Sequence, residues 1–254
     1  MRPDGSGKRH LLSIGPSPQW DPTFSPGGRM VAFRGYYGPA DGDYALYVAR
    51  ANGCAVRRLT RSIAGDPSWS PDGKWIAFDT SGEGEIWKVH PEGSGLSRIT
   101  SGGRANQDSS PAWSPDGTRI AFVRYHLGHG QIWVVRADGS GATVVHKGAR
   151  DLRGTPAWSY DGSRIAFAVQ TWPRSWIDVM HANGSNVRRL TKKRGEAWNP
   201  IWLSRDTGIA FLAGASGTGS LFVMRADGRD VHRVALRGAE QFTWIDGLLP
   251  RQRC

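Results

Sequence analysis

The tripeptide Ile/Val-Ala-Phe occurs five times, ending at Phe33, Phe78, Phe122, Phe167 and Phe211, at spacings of 45, 44, 45 and 44 residues. An aromatic stands nine residues before each of these: Phe24, Trp69, Trp113, Trp158 and Trp202. A period of this length is one supersecondary unit, repeated because a single copy cannot bury its own apolar surface. After the aromatic comes a turn: Ser25-Pro26-Gly27-Gly28, Ser70-Pro71-Asp72-Gly73, Ser114-Pro115-Asp116-Gly117 and Ser159-Tyr160-Asp161-Gly162, with Leu203-Ser204-Arg205-Asp206 as a decayed fifth. Pro presets φ there, Asp bonds its own backbone and Gly closes the turn.

Each copy reads as four strands. In the second copy they are Pro67-Ser68-Trp69-Ser70, Lys74-Trp75-Ile76-Ala77-Phe78, Glu85-Ile86-Trp87-Lys88-Val89 and Leu96-Ser97-Arg98-Ile99-Thr100. Asp138-Gly139, Asn183-Gly184 and Asp227-Gly228 mark the hairpin before the fourth strand of the last three copies. The 34 Gly and 15 Pro agree with many tight turns, and the 12 Trp agree with aromatic wedges between units. Four antiparallel strands repeated at this period predict an all-β fold, a β-propeller of four-stranded blades. Five blades are expected at about 24–60, 69–100, 113–146, 158–191 and 202–236 within a single domain, 1–254, nearly free of helix. The repeating Trp and Phe are expected to be buried as core.

The residues Pro-x-Trp-Ser-Pro-Asp-Gly-x-x-Ile-Ala-Phe, then Ile-Trp-Val, Asp-Gly-Ser and Arg-Leu-Thr, resemble the TolB-type, WD40-like propeller repeat over nearly the whole chain, to about Gly247. That resemblance implies a propeller, usually six-bladed in TolB itself, and a role as an interaction platform in the periplasm or outside the cell. Related propellers cap serine peptidases and occur in a pectin-degrading lyase. Residues 8–12 read as a lone fourth strand and 241–247 as a first strand and turn, so five complete blades and the outer strands of a degenerate or truncated sixth are expected. The opening residues Met1 to Gly7 lack the apolar core of a signal peptide. Taken alone they fit a cytoplasmic chain or a leader encoded upstream.

Uniform turns leave chemistry to the loops where the copies differ. Those between strands two and three, and those between blades, carry Arg34, Tyr36, Tyr37, Arg104, Tyr125, His126, Arg150, Arg153, Trp172, Arg174, Trp176, Lys193 and Arg194. These are the expected ligand-binding residues, converging on one mouth of the channel, since aromatics and cations on loops suit recognition. Asp21, Asp66, Ser110, Thr155 and Asn199, each just before a strand-one Pro, are expected to ring that mouth. They would cap backbone N–H groups there, or hold a polar ligand. Two acids among five are weak for calcium.

Catalytic motifs are missing. The chain has no Gly-x-Ser-x-Gly elbow and no phosphate-binding Gly-x-x-x-x-Gly-Lys. His126 and His129 alone make no metal site. Asp72, Asp116 and Asp161 are explained by their turns. No cofactor and no enzyme activity are expected. The charge, 33 Lys and Arg against 22 Asp and Glu, is +11, and no run approaches the ~20 apolar residues of a membrane span. The expected function is a scaffold for an acidic protein or peptide partner, with an anionic glycan, or a lyase- or hydrolase-associated propeller, as the alternative. Cations spread over strands as well as loops make nucleic acid a poor partner. Cys54 and Cys254 are too few for a disulfide framework, and their pairing is open at this level.

Overall fold

The computed structural model describes residues 19–36, 44–61, 64–80, 84–102, 106–148, 151–191, 196–215 and 218–234. The expected sixth-blade strands at 8–12 and 241–247 lie outside them. The described chain forms five antiparallel blades, the architecture of a β-propeller. The first is β1 (Gln19–Phe24), β2 (Met30–Tyr36), β3 (Tyr44–Arg50) and β4 (Arg57–Arg58). The second is β5 (Ala64–Trp69), β6 (Ile76–Thr80), β7 (Glu85–Val89) and β8 (Ser97–Arg98). The third is β9 (Asn106–Trp113), β10 (Arg119–His126), β11 (His129–Arg136) and β12 (Thr143–Lys147). In the fourth, strand one is split into β13 (Asp151–Leu152) and β14 (Ala157–Trp158), both paired with β15 (Arg164–Thr171), and β16 (Arg174–His181) and β17 (Arg188–Arg189) follow. The fifth is β18 (Glu196–Trp202), β19 (Gly208–Ala215), β20 (Thr218–Arg225) and β21 (His232–Arg233). A 3-10 turn at Ser204–Asp206 is the only helical element among the described residues.

The packing falls into two compact units. One holds described residues up to 120 together with 135–142; the other holds 121–134 and the described residues from 143 onward. In the first, Leu46, Val48, Ile76, Phe78 and Val89 form a dry cluster with Trp69. In the second, Ile177, Val179, Leu190, Ile209, Phe211 and Met224 do the same. Phe33, Phe78, Phe122, Phe167 and Phe211 are all at most 3% exposed, as the repeat predicts. Trp69, Trp113 and Trp158 are buried too. Trp202 is only half-buried, under the Arg164 guanidinium at 4.4 Å. The indoles also staple blade to blade: Trp69 Nε1 donates to Thr23 O, and Trp202 Nε1 to Ala157 O, each at 3.1 Å.

The turn chemistry is closed by side chains. Ser70 Oγ donates to Asp72 Oδ1 at 2.6 Å and receives Trp75 N at 2.9 Å, while Lys74 N donates to the same carboxylate oxygen. Ser114 with Asp116, and Ser159 with Asp161, repeat this. The seryl hydrogen bonds hold these three carboxyls below the usual range, Asp161 at about 2. In the decayed fifth turn Asp206 reaches back and accepts from Tyr160 N and Asp161 N. The Arg-Leu-Thr ending has its own task. Thr60, Thr100 and Thr191 accept from the strand-three N–H groups of Leu46, Ile86 and Ile177 where the two-residue fourth strand stops.

One feature of strand one departs from expectation. The segments expected as loops between blades are partly strand, because strand one begins well before the aromatic, at Gln19, Ala64, Asn106 and Glu196. It passes the proline through a bulge. Asp21, Asp66, Ser110 and Asn199 have φ of 53°, 40°, 55° and 50°, and the register shifts around the first, second and last of these. One left-handed residue lets the strand bend and resume pairing on the far side. In the fourth blade Gly154 takes this conformation ahead of Thr155, and the strand breaks there.

Candidate functional site

In the unit of the first two blades the bulges bring charged groups together. Arg34, at the end of β2, sits 3.1 Å from Asp21 of β1. Its guanidinium lies 5.4 Å from the Trp20 ring and 5.5 Å from the Tyr44 ring, which meet edge to face. Asp66 of β5 lies close enough for its charge to act on Asp21. Ser110 Oγ of β9 donates to Asp66 Oδ2 at 2.7 Å, and Ser110 N donates to Asp79 Oδ2 at 3.2 Å. Asp79, from β6, is 8% exposed. Gly65 makes room for this: a methyl there would sit 2.6 Å from Asp79 Oδ1 and 3.6 Å from Arg34 Nη1. Burial raises Asp79 to about 7 and Asp21 to about 6, and the neighbouring Asp66 charge adds to both. Two of the five residues before the prolines, Asp66 and Ser110, thus bond from blade to blade, and a third, Asp21, is held by Arg34 beside them.

In the other unit Tyr125 donates its hydroxyl to Leu152 O at 2.8 Å. The next residue, Arg153, holds the buried Glu196 carboxylate at 2.7 Å and lies 4.5 Å over the Trp198 ring. Asn199 stands against Gly154, which has no room for a side chain on that side. His126 is exposed at the end of β10, beside Leu127, which is 80% exposed. Trp172 is 76% exposed in the turn of the β15–β16 hairpin, and Arg174 opens β16 as an exposed side chain. Trp176 is in β16 rather than in the loop. It is buried, with the Arg189 guanidinium 3.6 Å over its ring, so its indole serves packing. Tyr36 closes β2 opposite Tyr44. Tyr37, Arg104, Arg150, Lys193 and Arg194 lie outside the described residues. Among the described residues no group of three or more His, Cys, Asp and Glu is placed to hold a metal ion.

The structure adds Trp20, Tyr44, Asp79, Glu196 and Trp198 to the residues singled out by sequence. Asp79 had a readable signal. It follows Phe78 directly, where the other copies carry Arg34, Val123, Ala168 and Leu212, so two blades place opposite charges in an otherwise apolar column. The Arg153–Glu196 pair gives Arg153 a structural task. Arg153→Glu sets two carboxylates face to face and is expected to cost about 1–2 kcal/mol of stability. Urea denaturation checks this; an unchanged midpoint would mean the pair contributes nothing.

A family model described as the TolB beta propeller domain matches residues 5–110 and 108–245. An uncharacterized protein of Agrobacterium fabrum is 31% identical over 104 residues, which are 39% of this chain and 34% of that protein. Among solved structures, TolB from Acinetobacter baumannii superposes with a TM-score of 0.67 at 20% identity, covering 84% of this chain and 53% of its own. An oligogalacturonate lyase in complex with manganese superposes with a TM-score of 0.64 at 14% identity, covering 83% and 63%. The chain therefore spans about a third to a half of the length of the first two relatives. At these identities the structural likeness carries the fold alone.

Proposed function

From the premise that this chain belongs to the TolB beta propeller family, we propose that it is a non-catalytic binding scaffold. Its partner is an acidic protein or peptide, met by the loops between strands two and three. The observation that carries this is the β15–β16 tip. Trp172 leaves 76% of a large apolar side chain in water, with the exposed Arg174 two residues on. An indole beside a free guanidinium is a frequent pairing in protein-binding hot spots. The net charge of +11 favours an acidic partner and speeds its approach. At the β10–β11 tip Leu127 is similarly exposed between His126 and His129.

The periplasm or the cell exterior is the compartment we assign. The family match and the likeness to TolB support that assignment. No helix of the described residues is long and apolar enough to cross a membrane.

The test uses Trp172→Ala and Arg174→Glu, alone and together, against proteins captured from the periplasm and against acidic uronate oligosaccharides. Each single change is expected to weaken capture of a protein partner about tenfold or more, with the unfolding midpoint nearly unchanged. Retention of uronates with no protein captured would replace this reading with glycan recognition. Normal binding by the double variant would overturn the assignment of the tip.

A further inference from the structure

The cluster at the first two bulges holds three carboxylates, Asp21, Asp66 and Asp79, and faces them with one cation, Arg34. We propose that this cluster is a proton-operated clasp between the first two blades, shut while one carboxyl carries a proton and loosened when all three are ionised.

The geometry supports this before any titration is considered. Arg34 pairs with Asp21 at 3.1 Å, and the bare face of Gly65, next to Asp66, lies against both the Asp79 carboxylate and the same guanidinium. Ser110 supplies its two donors to Asp66 and Asp79. Asp79 is among the buried acids of the described residues, and the cation that acts on it there is Arg34. Like charges gathered around one guanidinium cannot all ionise at low cost. The elements packed against Asp79 bring these groups and few others. Asp66 comes from β5, Asp21 from β1, Arg34 from β2 and Ser110 from β9. Asp108, also on β9, is buried as well. On β7, Glu85 is taken by Arg98, and Lys88 donates to Ala137 O, so neither offsets the cluster.

The sign follows from linkage. Burial lifts Asp79 to about 7 and Asp21 to about 6 in the folded chain, above their unfolded values. Folding therefore takes up protons across that window, and the stability they lend is present at low pH and lost as pH rises through about 6–7. The turn carboxyls of Asp72, Asp116 and Asp161 have the opposite sign, because hydrogen bonds depress them, and they act below the usual carboxylate range. The clasp thus sets the upper limb of the stability profile and the turns set the lower one. Backbone strain sharpens the response, since Asp21, Asp66 and Ser110 each hold a left-handed φ that neighbouring contacts must enforce.

The experiment takes the full chain through a carbon-13 carboxyl titration, with urea midpoints and amide exchange measured between about pH 5 and 8. Wild type is expected to show at least one carboxyl titrating well above the ordinary range. Its urea midpoint should fall as pH rises, and peptides spanning 64–80 and 106–113 should lose protection once intrinsic exchange is corrected. Asp79→Asn keeps an oxygen for Ser110 N and removes a charge, so its midpoint should fall with a clearly shallower slope over the same range, the remainder coming from Asp21. If every carboxyl of wild type titrates near 4, or if wild type and Asp79→Asn share one slope, the clasp is wrong. The wild-type titration decides the matter even if the variant fails to fold.

Discussion

Replacing Trp113 by Ala lowers the unfolding free energy by about 3–5 kcal/mol, while the same change at Phe24 costs about 1 kcal/mol or less. The two residues occupy one position of the repeat, nine before the Phe that follows. They differ in cover: Trp113 is 9% exposed and Phe24 48%. Truncating a buried indole removes transfer energy and leaves a cavity that a pleated sheet cannot close, whereas truncating a half-exposed ring removes only part of the first. For a chain of this size each kcal/mol moves the thermal midpoint by about 2–4 °C. Urea denaturation of both variants reads the difference directly. Equal losses would show that repeat position, not burial, sets the contribution.

That contrast also marks what a repeat makes legible. The period, the turns and the buried Phe residues follow from local rules, because each copy must present the same apolar side to its neighbour. The serine–aspartate turns were readable for the same reason: Ser70, Asp72 and Gly73 have a conformational task that their residue types suit. The threonine that ends each Arg-Leu-Thr was visible as a pattern but not as a mechanism. Its partner is a strand-three N–H fourteen residues back, a distance that only the fold closes.

The bulges were harder to read. A proline in a strand pattern reads as the strand's beginning. Here it follows a left-handed residue, and pairing resumes upstream of it, so Ala64, Asn106 and Glu196 are strand where loops were expected. The contribution of Asp66 depends on Asp21 and Ser110, which lie one repeat away on either side, and on Asp79 beyond the intervening turn. Reading each copy alone finds a cap; reading the same column across copies finds a cluster. Trp176 failed for a simpler reason. The hairpin tip is only Trp172-Pro173, so Trp176 falls inside β16, where consecutive residues are buried on both faces, while Trp172 stays in water.

The largest backbone effect is expected at Gly184. It sits in the second turn of the fourth blade with φ of +87°, and Gly139 and Gly228 occupy the same place at +90° and +85°. These turns rest on the outer strand of the preceding blade. A methyl on Gly184 would fall on the carbonyl oxygen of Val145 in β12, with the carbonyl carbon at 2.8 Å and the Cα at 3.2 Å. No side-chain rotation relieves this, because the obstacle is backbone, at a bulge whose neighbours Val144 and His146 are both paired to β11. Gly184→Ala therefore combines left-handed strain, about 1–2 kcal/mol, with overpacking of about 1–3 kcal/mol, and is expected to cost about 2–5 kcal/mol in all. Gly128 supplies the control. Its φ is +81°, yet a methyl there meets no atom within 4 Å, so Gly128→Ala should show the strain alone. Equal losses in the two variants, measured by urea denaturation at one pH, would mean that the turn does not seat on the neighbouring strand. A larger loss in Gly184→Ala than in Gly128→Ala identifies Gly184 as a point where one blade's turn locks onto the blade before it, a fit that a hairpin rule read from one copy does not contain.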